Sequence, residues 1–82
     1  MRKEVQQMAN VLIKGIVLDE ACAREFARAA SHLEATGVTS TADAMRTQAR
    51  LHRVKSLELQ GKLAALGDQY GIVFPNVLKS IP

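Results

Sequence analysis

Apolar residues recur along the first part of the chain at steps of three, four or seven: Val5, Met8, Leu12, Ile16, Ala23, Phe26, Ala30 and Leu33. That is the spacing of one face of an α-helix, and it predicts a helix over residues 4–35. Gly15 and the β-branched pair Ile16-Val17 are its weak points, and Asp19 can cap a fresh helix there. The pattern therefore fits either one long helix or two helices with a kink near Gly15. Gly37 ends it, as glycine does just past many helix C-termini.

A turn over residues 37–40 follows, in which Ser40 and Asp43 have the spacing of a capping box with a short acid. A second helix is expected over residues 41–66. Its stripe is regular: Ala42, Met45, Ala49, His52, Ser56, Leu59, Leu63 and Leu66 alternate steps of three and four, the spacing of a coiled-coil seam. Gly61 weakens the last turns and Gly67 is the expected stop. Residues 68–82 form a tail whose Tyr70, Ile72, Val73 and Phe74 must pack on something. Pro75 is placed to open one further helical turn over Asn76 to Ser80.

So short a turn makes the two helices antiparallel neighbours. Folding about it sets residues whose numbers sum to about 77 opposite one another. Leu33 then faces Ala44 and Met45, Glu25 and Phe26 face Leu51 and His52, and Cys22 faces Lys55 and Ser56. The tail folds back along Val5 to Leu12. The expected architecture is a single all-α domain over residues 1–82, an antiparallel helical hairpin with a short C-terminal tail. Two helices do not close a core, so the surplus apolar surface predicts a homodimer that completes a four-helix bundle. Met45, Ala49, Leu59 and Leu63 are its expected interface.

Composition adjusts this picture in three ways. With 82 residues the chain is one domain at most, and domains this short are marginal alone. Apolar residues are 48% of it, enough for a core and too many for wholesale disorder. The three aromatic residues Phe26, Tyr70 and Phe74 leave the core to aliphatic side chains and alanine. The lone Cys22 excludes an internal disulfide and fits a reducing compartment. The run Val11-Leu12-Ile13 is too short for a signal core and no stretch approaches a membrane span, so a cytoplasmic location is expected.

Candidate chemistry is sparse. His52 occupies a seam position where an apolar residue is expected, and Glu25 lies across from it in the folded register; a buried hydrogen-bonded pair is the expectation. His32 and Glu34 sit at the end of the first helix, where a histidine favours the helix dipole. Ser56 is expected to bond to the carbonyl four residues back, and Cys22 to pack as a small apolar residue. No Ser/His/Asp set, paired-acid cleft or phosphate loop is present, so catalysis is not expected. Arg46, Arg50 and Arg53 form one stripe, with Lys55 nearby. A net charge of +3 is too small to assign nucleic acid as a partner, but arginines so spaced can meet phosphates or an acidic protein surface.

The stretch from Glu20 to Leu59 resembles the helical hairpin of the ferritin-like and rubrerythrin-like proteins. The resemblance is carried by Glu20, Glu25, Ala29, Ala30, Leu33, Glu34, Gly37, Ala42, Met45, Ala49 and His52. It implies that Glu20 or Glu25 and His52 hold a metal. The glutamate that the family places three residues before the histidine is absent here, that position being Ala49. Three functions follow as expectations. The first is a non-enzymatic, cofactor-free interaction or regulatory module that homodimerises and offers Arg46, Arg50 and Arg53 to a protein partner. The second is a ferritin-like metal binder using Glu20, Glu25 and His52. The third is a small basic regulator that binds nucleic acid without sequence specificity.

Overall fold

The computed structural model describes residues 2–74. Two helices, α1 (Lys3–Ala35) and α2 (Thr39–Tyr70), lie antiparallel against each other, with no strand among the described residues. The molecule is 52 Å long, about the length of a 33-residue helix at ~1.5 Å per residue. α1 is continuous through Gly15, so the two-helix alternative for this segment is not realised. No helix of the described residues is long and apolar enough to cross a membrane.

Both helices end on a glycine in the left-handed region. Gly37 has φ +85°, and the Val38 and Gly37 amides donate to the carbonyls of Leu33 and Glu34 at 2.8 and 3.0 Å. This reciprocal pair satisfies carbonyls that the helix end would leave bare. At the far end Gly71 has φ +66°, and the Ile72 amide donates to the Gly67 carbonyl at 2.7 Å. The turn is therefore shorter than expected, and α2 extends beyond both its expected ends. Ser40 falls inside the first turn and makes no capping bond; Asp43 pairs with Arg46 at 3.3 Å instead. Gly67 does not stop α2, because α1 still runs alongside it and the chain reverses only after Tyr70. The missing side chain at Gly67 gives room for the Ile72 carbonyl, which a Cβ would strike.

The seam of α2 is the one its spacing predicts: Ala42, Ala49, Ser56, Leu63 and Leu66 are buried, and Met45, His52 and Leu59 half-buried. On α1 the buried set is Val5, Ala9, Ile16, Ala23 and Ala30, with Leu12, Asp19, Phe26 and Leu33 half-buried between them. Ala9 therefore takes the place expected for Met8, which is 55% exposed. The steps 5, 9, 12, 16, 19, 23, 26, 30, 33 form an unbroken heptad seam, and Met8 lies on the neighbouring stripe.

Alanine or serine fills most of the buried seam positions: Ala9, Ala23 and Ala30 on α1, and Ala42, Ala49 and Ser56 on α2. The larger side chains gather at the open end. There Val5, Ala9, Ile16, Leu63 and Leu66 form the core cluster, with Leu12, Ile13, Leu59, Ile72 and Phe74 packed on it. Ile72 and Phe74 thus fold back on the start of α1, as expected of the tail, while Val73 points outward at 80% exposure. The Arg2 guanidinium lies over the Tyr70 ring at 5.7 Å and closes this end. The expected turn over Asn76 to Ser80 lies outside the described residues.

Candidate functional site

A layer of polar side chains crosses the middle of the hairpin. Asp19 and His52 both occupy seam positions, and their carboxylate and Nδ1 lie 2.8 Å apart, at 18% and 22% side-chain exposure. An ionised carboxylate only accepts, so the ring nitrogen donates. The other side of the layer is filled by Phe26, whose ring stacks on the imidazole at a centroid distance of 5.6 Å and a 15° interplanar angle. One turn further along α2, Ser56 is fully buried; its hydroxyl donates to Glu20 Oε1 at 3.2 Å and accepts from Gln60 Nε2 at 2.9 Å. No buried side-chain nitrogen or oxygen lacks a partner among the described residues.

Two sequence expectations change here. Glu25 does not meet His52. It is level with it, but it sits on the outward face of α1 and pairs with Arg28 at 2.6 Å. Asp19 is the partner, because it lies in the seam. Nor does Ser56 bond back to its own helix, since Glu20 reaches it from α1. Gln60 was not expected here, and Asp19, a candidate helix cap from the sequence, lies instead in mid-helix facing His52. The signal for Asp19 was its place in the run 12, 16, 19, 23, 26, an acid in one seam matching the histidine in the other.

The layer divides into two separate groups, the Asp19–His52 pair and the Glu20–Ser56–Gln60 trio. His52 and Ser56 each have a partner on α1, and the hydroxyl is held by Glu20 and Gln60. No group of three or more histidine, cysteine, aspartate or glutamate side chains able to hold a metal ion occurs among the described residues. Of the three residues that the ferritin-like resemblance singles out, Glu20 and His52 are in the layer with separate partners and Glu25 is outside it. His32 is exposed at the end of α1.

The arginine row is divided by the fold. Arg46 bridges the helices to Glu34 and also pairs with Asp43. Arg50 donates to Thr47 Oγ1 at 3.3 Å, and Arg53 is exposed and forms no ion pair among the described residues. Of the expected interface residues, Ala49 and Leu63 are buried against α1 within one chain, at 3% and 4% exposure. Their surface is already used, and the surplus apolar surface lies elsewhere. Met8, Val11, Val17, Leu18, Leu51, Val54 and Leu57 are between 38% and 68% exposed. Ala21, Cys22, Glu25, Phe26, Ala29 and Met45 line an open depression of about 470 Å³ on one flank.

No family model matches this chain, and neither a curated protein nor a solved structure does so.

Proposed function

We propose that this chain is a small non-enzymatic interaction module that acts as a homodimer, completes a four-helix bundle and offers Arg50 and Arg53 to an acidic surface of a protein partner. The observation that carries the reading is the apolar surface left open on a fully formed hairpin: along α1, Met8, Val11 and Leu18 are between 55% and 68% exposed. Scattered single exposures need no explanation, but a row on one helix marks an association site. The polar layer supports a structural role for His52, because its Nδ1 is engaged by Asp19 and its ring by Phe26. The free Cys22 is in keeping with a cytoplasmic setting.

Sedimentation equilibrium at micromolar concentration tests the dimer. A mass of twice 8.9 kDa is expected, and a well-folded monomer would overturn the reading. The arginine contribution is tested by Arg50→Glu with Arg53→Glu. This variant should lose a partner that the parent retains on a column, with helical content unchanged. Arg46 is left intact because Glu34 depends on it.

A further inference from the structure

The open apolar surface of α1 is ordered. Met8, Val11, Gly15, Leu18, Cys22, Glu25 and Ala29 follow at steps of three and four, a second heptad stripe beside the one that packs on α2. Its large apolar members, Met8, Val11 and Leu18, stand in the first half, and Cys22 and Ala29 in the second. Met8, Val11 and Leu18 are 55%, 68% and 65% exposed. Cys22 and Ala29 border the open depression, and at Gly15 the position of a Cβ is taken by the Leu59 side chain, 2.8 Å away.

We propose that this stripe pairs antiparallel with the same stripe of a second copy, so that Met8 and Val11 of each chain fill the depression of the other and Leu18 covers the other's Gly15. One register achieves all of this. Setting Met8 level with Glu25, in the middle of the depression, also sets Val11 level with Cys22 and Leu18 level with Gly15. Val11 meets Cys22 and Leu18 meets Gly15, large against small, while Met8 lies along the aliphatic stem of Glu25, whose carboxylate is turned to Arg28. The arrangement repeats by two-fold symmetry, as an isologous interface requires. The same register brings Glu4 beside Arg28 of the other copy at each end of the contact, an attraction between exposed opposite charges.

The stripe from Met8 to Ala29 is about 32 Å long at ~1.5 Å per residue, and with the flank of α2 beside it can supply the roughly 800 Å² that one partner contributes to a standard stable interface.

This inference rests on the dimer proposed above and adds its face and register. The experiment uses the full chain in three variant forms beside the parent. Leu18→Lys should weaken dimerisation at least a hundredfold with an unchanged helical spectrum, because each dimer buries Leu18 twice. Leu57→Lys, on another face, should leave the dimer intact. Val11→Cys should form a covalent dimer on mild oxidation, with peptide mapping showing the introduced thiol joined to Cys22 of the other chain. The parent should give no Cys22–Cys22 link, since those residues stand about 16 Å apart along the helices and a disulfide needs Cα atoms within about 7 Å. A dimer that survives Leu18→Lys, that is lost in Leu57→Lys, or that links Cys22 to Cys22 would overturn the face and register while leaving a dimer in place. A monomeric parent would overturn both readings.

Discussion

Replacing His52 by leucine tests whether the polar layer is a matched pair or an incidental contact. The imidazole and the Asp19 carboxylate are both about four-fifths buried and bonded at 2.8 Å. Removing the ring leaves the carboxylate without a partner, which costs about 1–3 kcal/mol. The stack on Phe26 is lost as well, worth roughly 0.5–1.5 kcal/mol. The new leucine buries its own apolar surface and offsets about 1 kcal/mol of this. The net expectation is a loss of about 2 kcal/mol. Against the ~4–12 kcal/mol typical of a chain of 82 residues, that is a large fraction. Adding Asp19→Leu removes the orphaned acid, so the double variant should recover most of the loss or exceed the parent. Urea unfolding followed by far-ultraviolet circular dichroism reads both effects. It should be run at one protein concentration, because association would add to apparent stability. If the double variant is less stable than His52→Leu alone, the pair is not the stabilising unit and the argument fails.

Three further outcomes are expected. Leu63→Ala should cost about 2–4 kcal/mol, because Leu63 is 4% exposed in the main cluster; the half-buried Leu59→Ala should cost less, and a reversal in thermal melts would move the core. Gly37→Ala should cost about 1 kcal/mol from backbone conformation alone, since nothing lies within 4 Å of the added Cβ and φ is +85°. Gly61→Ala, also in open space but inside α2, should instead stabilise by about 0.5–1 kcal/mol, so equal signs for the two would refute the assignment. Glu34→Gln should cost less than about 1 kcal/mol and lose its effect at high salt, because the pair with Arg46 is half exposed.

The two helices and the α2 seam were legible because a heptad pattern states which positions share a face. The α1 seam was misread at one point: Val5, Met8, Leu12 and Val5, Ala9, Leu12 are both helical spacings, and hydropathy favours methionine. Close approach of two helices favours alanine, and only the unbroken series through Asp19 distinguishes them. Glu25 was misplaced because level along the axis was used without angle. Glu25 and Phe26 are level with His52, yet about 100° of helical rotation separates them, enough to turn one inward and the other out. The extension of α2 past Gly67 was not legible, since it depends on Ile72 and Phe74 returning to α1. No local signal separates a glycine that ends a helix from one that admits a carbonyl.

The uneven core explains why the polar layer stands where it does. The large side chains lie between the open end and Ile16, whereas the half beyond it is closed chiefly by Ala23, Ala30, Ala42 and Ala49. Alanines repeated every seven residues let the helices come close, but they fit equally well after one helix slides by a heptad. Such a slide would set Asp19 against Met45 or Leu59 and leave a mostly buried acid without a partner. It would also strip Ser56 of Glu20. Each penalty is of the order of 1–3 kcal/mol, a substantial part of the whole stability, so the layer selects one register that the alanine seam alone would not. The same thin seam leaves Met8, Val11 and Leu18 outside. A narrow two-helix contact has no room for three more large side chains, and their burial requires a second surface.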